Sequence, residues 1–193
     1  MMYIVGLGNP GDKYTKQRHN VGWMVLDGLV DVFGLPAPVT SGKYSGRISE
    51  GAIVGQEVTL LYPDTYMNNS GTAVRKLVPN GEEGNIILIY DDVDIPIGEF
   101  KLSVGRGDGG HNGVKSVIGS LGTKDFIRLR VGIAATGFFG GAKRPTGEKL
   151  PRHVLGDFKK REQTAVDEVA LKMKEVIEMI VSEGIDKAMN EYN

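Results

Sequence analysis

The sequence contains no cysteine, and this absence excludes several kinds of chemistry. A disulfide-bonded scaffold, a thiolate metal site and a cysteine nucleophile all need a side chain that the chain lacks. Long apolar runs are missing too, so no segment approaches the roughly 18 to 20 apolar residues of a membrane helix or has the pattern of a secretory leader. These absences predict a cytoplasmic protein without a membrane segment.

The chain also lacks an excess of charge of either sign, because 23 basic and 24 acidic residues give a formal net charge of −1. Such a balance argues against a general coat for nucleic acid, but it is compatible with a local basic patch. The length predicts one domain over residues 1–193, and 40% hydrophobic residues suffice for a core. Glycine is abundant by contrast, and the 28 glycines predict backbone that turns sharply or approaches other atoms closely.

Strand-like and helix-like segments alternate along the chain. The predicted strands are 2–7, 43–49, 57–62, 85–90, 99–104 and 126–133, and the predicted helices are 19–33, 68 or 69 to 77, 112–121 and 160–182. The almost continuous apolar run NIILIY at 85–90 is typical of a central strand that is buried on both faces. The alternation predicts an α/β fold, a single-domain three-layer α/β/α sandwich with a mixed, mostly parallel central sheet.

The last third of the chain divides into two parts. Residues 134–158 begin with a stretch of small residues that has no clear period, and we expect a mobile loop or lid there. Residues 159–193 are expected to form a C-terminal helical segment, whose apolar stripe is typical of core packing.

Five polar residues are predicted to meet at one edge of the sheet. Asn9 follows the first strand and Asp91 follows the central strand, while His19, Asn68 and Asn112 stand at predicted helix starts. In open α/β sheets, functional groups collect where strands end and the next helices begin. A histidine that takes a proton near neutral pH, a carboxylate that orients it and amides that donate to a carbonyl form a hydrolytic site. Each asparagine alone is equally typical of a cap or turn.

A serine nucleophile is the other hydrolytic arrangement to consider. Ser70 is the only serine close to these polar residues, and its place at a helix start is just as well explained by capping. A His–Asp pair that activates water is therefore preferred over an acyl-enzyme mechanism.

Two short motifs suggest other functions. The string GLGNPG at 6–11 matches the glycine pattern of a dinucleotide-binding oxidoreductase, but the helical pattern begins only near His19 and Asp27 lies inside that helix. The acidic run DDVD at 91–94 could hold Mg²⁺ for phosphoryl transfer, but the chain has no P-loop. The dinucleotide alternative stays open and predicts saturable binding of NAD(P).

Charge is distributed unevenly along the chain. Residues 101–130 contain six basic and two acidic side chains, and the segment from 157 to 193 carries a local charge of −3. The basic zone adjoins a glycine-rich loop and a helix start at 111–112, where side chains and backbone N–H groups could bind phosphate. A solvated face of a neutral protein explains the same charges, and a noncatalytic RNA-binding module is a further alternative.

Six strings taken together make the sequence similar to a known family. They are VGLGNPG-x-x-Y-x-x-x-RHNVG at 5–22, YMNNSG at 66–71, YDDVDIP at 90–96, GGHNGVKS at 109–116, RLRVGI at 128–133 and VLGDF at 154–158. In this order and spacing the chain resembles the bacterial peptidyl-tRNA hydrolases.

The resemblance implies a monomeric enzyme without metal or cofactor that cleaves the ester between a peptide and the 3′ ribose of tRNA. His19 would activate water, Asp91 would hold and polarise it, and Asn9 would contact the peptide end. Asn68 and Asn112 would position substrate and stabilise the oxyanion. Further implied substrate contacts are Tyr14, Tyr66, Met67 and His111 near the peptide and terminal nucleotide, with Lys101, Arg106, Lys115 and Arg130 as candidates for phosphate.

The chain departs from the family pattern in the region that would contact RNA. Ser103 stands where many relatives have a basic residue that clamps the tRNA 5′ phosphate, so Lys101 or Arg106 is expected to substitute. Arg106 and Asp108 interrupt a loop of mostly small residues, and residues 137–149 are atypical.

Overall fold

The protein is described by a computed structural model over residues 1–137 and 141–193. The strands are β1 (Met2–Gly6), β2 (Val39–Ser41), β3 (Gly46–Ile53), β4 (Gln56–Pro63), β5 (Ile86–Pro96), β6 (Phe100–Val104), β7 (Ile127–Thr136) and β8 (Ala142–Lys143). The helices are α1 (Val21–Phe33), α2 (Ser70–Leu77), α3 (Asn112–Leu121), α4 (Lys149–Val154), α5 (Lys160–Glu183) and α6 (Ile185–Tyr192). Single 3₁₀ turns occupy Asp12–Tyr14, Arg18–Asn20, Met67–Asn69 and Glu83–Asn85.

One sheet organises all eight strands. Its order is β2-β3-β4-β1-β5-β7-β6, with β8 paired to β7. The central strands β4, β1, β5 and β7 are parallel, whereas the pairs at both sides are antiparallel. The expected mixed sheet is confirmed, and the carboxyl ends of its four parallel strands share one edge.

Helices cover both faces of the sheet, as the three-layer prediction requires. Side chains alternate along the central strands, so that Ile4 and Ile87 face α1 and α5, whereas Val5 and Leu88 face α2 and α3. Burial on both faces explains why the run at 85–90 is continuously apolar.

Glycine allows α1 to approach the sheet edge closely. A Cβ atom on Gly22 would lie 2.5 Å from the Leu7 nitrogen and 2.5 Å from the Ile89 oxygen. The backbone of α1 therefore packs directly on the ends of β1 and β5. This approach brings the turn Arg18–Asn20, just before α1, to the carboxyl ends of the parallel strands.

Several boundaries differ from the sequence prediction. β5 continues through Pro96, six residues beyond its predicted end at 90, because Asp91, Asp92 and, after a shift of register, Pro96 still pair with β7. Residues 127–134 of β7 are all buried, although apolar and basic side chains alternate along 127–130. β7 lies between β5 and β6 beneath both helix layers, and Arg128 and Arg130 are buried with it.

The segment predicted as an irregular lid contains regular elements. β7 runs to Thr136, β8 pairs with it antiparallel, and α4 follows. Residues 138–140 of the predicted segment lie outside the described residues. The C-terminal segment is helical as expected, but it comprises α5 and a separate α6. Within residues 1–137 and 141–193, no helix combines the length and apolarity needed to cross a membrane.

A contact between α2 and α3 yields the first testable prediction. A Cβ atom on Gly71 would lie 2.1 Å from the Ser116 carbonyl oxygen, so Gly71→Ala forces the two helices apart. We expect this substitution to lower the free energy of unfolding by about 1–3 kcal/mol in urea denaturation. Gly119→Ala, at a helical position with open space around it, serves as the control and should raise that free energy by up to ~1 kcal/mol. Equal stabilities of the two variants would contradict the packing argument.

Candidate active site

Three side chains converge at the carboxyl end of β5. Asp91 Oδ1 lies 2.7 Å from Nδ1 of His19 and 2.8 Å from Nε2 of His111. The Asp91 side chain is only 3% exposed, and the two imidazoles are 11% and 9% exposed. The ring centroids of the two histidines are 4.8 Å apart. One carboxylate oxygen thus accepts hydrogen bonds from both imidazoles.

The start of α3 determines which nitrogen of His111 carries the proton. Nδ1 of His111 accepts hydrogen bonds from the backbone N–H groups of Gly113 (3.1 Å) and Val114 (3.3 Å). An acceptor nitrogen has no proton, so the proton of the neutral ring is on Nε2 and is donated to Asp91. His111 therefore caps α3 and orients Asp91 at the same time.

His19 is held from both sides along the chain. Arg18 is buried, and its guanidinium pairs with Glu162 at 2.7 Å and donates to the His153 carbonyl at 3.2 Å. On the other side, the Asn20 side chain is 1% exposed and bonds to Asn9. The imidazole of His19 thus projects from a short turn that is anchored on both sides. Arg18 holds it to α5, and Asn20 holds it to Asn9 in the loop after β1.

Asn9 is fixed in both backbone and side chain. Its N–H donates to Asn20 Oδ1 at 2.9 Å, and its carbonyl accepts from Asn20 Nδ2 at 3.0 Å. Its own Oδ1 accepts from the Met67 backbone N–H at 2.8 Å. Because the oxygen of the amide is committed, the side-chain NH₂ group is the part of Asn9 left to donate to a ligand.

A cleft of about 530 Å³ opens beside this cluster. Two ion pairs line it, Arg130 with Asp92 at 2.8 Å and Arg144 with Asp94 at 2.7 Å. These two ion pairs and the contacts of Asp91 with the histidines use all three carboxylates of the acidic run at 91–94. The acidic run therefore does not present the free carboxylate ligands that Mg²⁺ would need.

The structure also weakens the dinucleotide alternative. The chain after Gly11 forms the 3₁₀ turn Asp12–Tyr14, and α1 starts only at Val21. The glycines therefore do not lead into the N-terminus of α1, where a dinucleotide-binding loop would hold the pyrophosphate.

The structure does not bring all predicted site residues to the cleft: those that line it are His19, Asp91, Arg106, His111, Asn112 and Arg130. Asn112 is exposed and lines it beside His111, while Asn68 is exposed next to the core residue Met67. Tyr66 is 60% exposed, and Tyr14 is half-buried in the loop after Asn9. Neither Asn68, Tyr14 nor Tyr66 lines the cleft itself.

The basic zone at 101–130 separates into two sets. Arg128 and Arg130 are buried, which sequence analysis did not anticipate. The exposed set consists of Lys101, Arg106, Lys115 and Lys124. Lys101 on β6 lies opposite Arg130 on β7 in the antiparallel strand register. Arg106 reaches the rim of the cleft.

Sequence reasoning missed two kinds of residue in this site. Asn20 was not among the predicted site residues, although it holds the backbone of Asn9. Asp94 and Arg144 were not predicted to meet, because 50 residues separate them in sequence. The neighbouring string His19-Asn20 was the available signal for the first, and no local signal exists for the second.

Electrostatic coupling shifts the pKa values of the central pair. Burial opposes the charged form of His19, but the charge of Asp91 and its hydrogen bond outweigh burial and raise the pKa of His19 above its ordinary value. Burial likewise opposes ionisation of Asp91, yet the neighbouring imidazoles hold the pKa of that carboxyl well below its usual range. Asp91 is therefore ionised at neutral pH.

The same cluster is the group that could hold a metal ion among the described residues, since its ligand atoms lie within 4.8 Å of one another. A metal needs the lone pair of His111 Nε2, the atom that carries the proton while Nδ1 caps α3. Metal binding would move that proton to Nδ1 and break the cap. The donor set thus fits a shared-proton network better than a metal centre.

Comparison with known proteins decides the family. The peptidyl-tRNA hydrolase family model matches residues 3–193. This chain belongs to the peptidyl-tRNA hydrolase family. It is 43% identical over 197 residues to the peptidyl-tRNA hydrolase of Thermodesulfovibrio yellowstonii, covering 100% of this chain and 99% of that relative. The corresponding protein of Desulfitobacterium hafniense is 41% identical, with both chains fully covered.

A solved structure from the family has the same fold. The crystal structure of peptidyl-tRNA hydrolase from Acinetobacter baumannii superposes with a TM-score of 0.88 at 32% identity, covering 100% of this chain and 94% of that one. The resemblance found in the six sequence strings is confirmed, as are membership of an enzyme family and the α/β fold.

The His19–Asp91 pair gives a prediction about titration. Asp91→Asn removes the negative charge that raises the pKa of His19, while the burial that lowers this pKa remains. We expect the pKa of His19 in the variant to fall below its ordinary value of 6.5. Titration of the His19 ring proton by NMR measures the change, with His19→Ala used to assign the resonance. An unchanged pKa would mean that Asp91 does not control His19.

The raised pKa of His19 also makes the stability of the protein depend on pH. A pKa that is raised in the folded protein means that protonated His19 favours the folded state. This contribution is fully present below the pKa of histidine in the unfolded chain and is lost as pH rises through the higher folded-state pKa. The stability difference between wild type and His19→Ala should shrink over that interval.

Proposed function

We propose that this chain hydrolyses the ester between the peptide and the 3′ ribose of peptidyl-tRNA, using water activated by His19 and Asp91. The observation that carries the proposal is the 2.7 Å hydrogen bond from His19 Nδ1 to the buried carboxylate of Asp91. With Nδ1–H donated to Asp91, His19 Nε2 has the lone pair that can take a proton from water.

The reaction needs two proton transfers through His19. Nε2 takes a proton as the water oxygen attacks the ester carbonyl carbon, and Asp91 stabilises the imidazolium through the Nδ1–H bond. When the tetrahedral intermediate collapses, the bond from carbon to the ribose 3′ oxygen breaks. His19 returns the proton to that oxygen, so that free tRNA and a peptide carboxylic acid result, and the acid then loses its proton to solvent at neutral pH.

Amide groups would stabilise the charge that develops on the carbonyl oxygen. The NH₂ group of Asn9 is available because Met67 occupies its oxygen. Asn68 and Asn112 are exposed close to the residues that hold Asn9 and Asp91. We propose these three side chains as the groups that bind the peptide end and the oxyanion, and such a donor is typically worth ~2.7–4 kcal/mol in the transition state.

The two ends of the substrate would use different surfaces. The proposed contacts to the peptide and the terminal nucleotide are Tyr14, Tyr66 and Met67. His111 is proposed to contribute near this end of the substrate by its hydrogen bond to Asp91. Phosphate contacts are assigned to the basic side: Lys101, Arg106, Lys115 and Arg130. Arg130 pairs with Asp92 through Nε, which leaves its terminal nitrogens to donate.

No metal or cofactor is part of this proposal, because the proton on His111 Nε2 occupies the position that a metal would require. The enzyme is further proposed to act as a monomer in the cytoplasm, where peptidyl-tRNA forms. A part of the predicted lid that lies beside the cleft, α4 and the residue after it at 149–155, is proposed to close over the bound substrate.

Hydrolysis of a defined substrate tests the function. We expect rapid release of tRNA from an N-blocked aminoacyl-tRNA and little release from its unblocked counterpart, in buffer that contains EDTA. His19→Ala should nearly abolish turnover while binding of tRNA persists, and Asp91→Asn should impair turnover less. Initial rates follow from acid precipitation of the ester-linked label.

Three results would count against the mechanism. Wild-type protein that binds tRNA but leaves the ester intact would support a noncatalytic RNA-binding module. Loss of activity in EDTA would require a metal. Wild-type rates in both variants would mean that the base lies elsewhere. In wild type, the rate should rise with pH through the raised pKa of His19, because only neutral His19 accepts a proton.

Arg130 tests the proposed phosphate contacts. Arg130→Ala should raise KM more than it lowers kcat, and the slope of log binding constant against log salt concentration should fall by about one. Arg161→Ala, which removes an exposed arginine from the start of α5, is the matched control and should leave the slope unchanged. An identical slope for wild type and Arg130→Ala would remove Arg130 from the RNA interface.

A further inference from the structure

A buried arginine lies behind the proposed site without a carboxylate partner. Arg128 on β7 is 0% exposed, the largest fully buried side chain of the described residues. Of the arginines that line the cleft, Arg130 is ion-paired with Asp92 and Arg144 with Asp94, whereas Arg106 is exposed at the rim. Among the described residues, no acidic side chain forms a salt bridge with Arg128. Burying an unpaired guanidinium is unfavourable, so the structure must gain something specific from it.

Arg128 bonds to the backbone of the glycine-rich loop at 105–110. Its Nη1 donates to the Gly107 carbonyl at 2.6 Å, and its Nη2 donates to the Arg106 carbonyl. The guanidinium also lies 4.7 Å from the centre of the Phe126 ring. Among the described residues, the carbonyls of Arg106 and Gly107 accept no hydrogen bond other than these two from Arg128.

The loop needs such an anchor because its backbone is deformable. Gly105, Gly109 and Gly110 have φ values of +69°, +61° and +82°, a region that glycine enters and leaves without a steric barrier. The second half of the loop is closed by a bond from the His111 N–H to the Asp108 carbonyl at 3.0 Å. The first half depends on Arg128.

The position of this loop determines the position of two groups in the site. Arg106 belongs to the loop and reaches the cleft rim. His111 is the residue directly after the loop, and it donates a hydrogen bond to Asp91. The His111 ring is also in contact with Tyr90 of β5, whose ring lies edge-on to it with centroids 5.0 Å apart. A displaced loop would therefore disturb the hydrogen bond between His111 and Asp91.

We propose that Arg128 is a positioning residue for the hydrolytic reaction, which holds the loop at 105–110 through two carbonyls so that His111 stays on Asp91. The inference rests on the proposed function. Arg128 touches neither the water nor the ester in this scheme, and it acts through the loop and His111. Its planar guanidinium suits the task, because two parallel donors reach two successive carbonyls.

Arg128→Lys and Arg128→Gln test the proposal together. Lysine keeps the charge but offers a single ammonium group in place of two fixed donors, and glutamine loses the charge. We expect both variants to lower kcat by about 10- to 100-fold, the usual effect of a misplaced catalytic group. KM and the Kd for free tRNA should stay within about threefold of wild type, as for a loss confined to the transition state. Hydrogen exchange should become faster at the backbone amides of 105–111 and nowhere else.

Arg75→Gln is the matched control. Arg75 on α2 also donates to a backbone carbonyl, that of Val78, and pairs with Glu83, but it is remote from the cleft. Its loss should leave kcat unchanged. If neither wild type nor this control releases tRNA, the proposed function itself fails, whereas hydrogen exchange still reports on the loop.

Other outcomes would overturn the proposal. Full activity in Arg128→Lys, with weakened tRNA binding in Arg128→Gln, would make the residue an electrostatic contributor instead. Unchanged kcat in both folded variants would remove it from the reaction. Faster exchange throughout the protein, or failure of both variants to fold, would make Arg128 a determinant of stability alone.

Discussion

The site depends on one buried carboxylate that accepts two imidazole N–H groups on the same oxygen. Asp91 can do so only because three parts of the fold meet at the same edge of the sheet. They are the end of the parallel part of β5, the turn before α1 and the start of α3. Burial makes its charge unfavourable unless both donors are in place, and the same charge raises the pKa of His19. The position of the strands and helices is thereby coupled to the basicity of the proposed general base.

Backbone groups carry much of this arrangement. Two N–H groups at the start of α3 set the tautomer of His111, and the backbone of Asn9 is held by the Asn20 amide. Two loop carbonyls meet the guanidinium of Arg128. The side chains proposed for chemistry are therefore oriented by groups whose positions follow from the fold, which limits the reorganisation that the reaction would require.

Much of the fold was predictable because its signals are local. The helix at 112–121 has the predicted bounds, and the apolar run at 85–90 marks the centre of β5 correctly. The extension of β5 through its acidic residues was not predictable, because pairing with β7 outweighs the low strand propensity of aspartate. The burial of Arg128 was missed for a similar reason, since its partners are loop carbonyls some 20 residues away.

The sequence by itself determined the fold class, the family resemblance and the position of His19 and Asp91 at the sheet edge. Those features depend on apolar periodicity and on short motifs, which are properties of neighbouring residues. Only the tertiary structure decided that His111 joins His19 on Asp91, that Arg130 and Arg144 are ion-paired with Asp92 and Asp94, and that Arg128 is buried. These are contacts between residues far apart in sequence, and their burial and charge pairing exist only after the layers have packed.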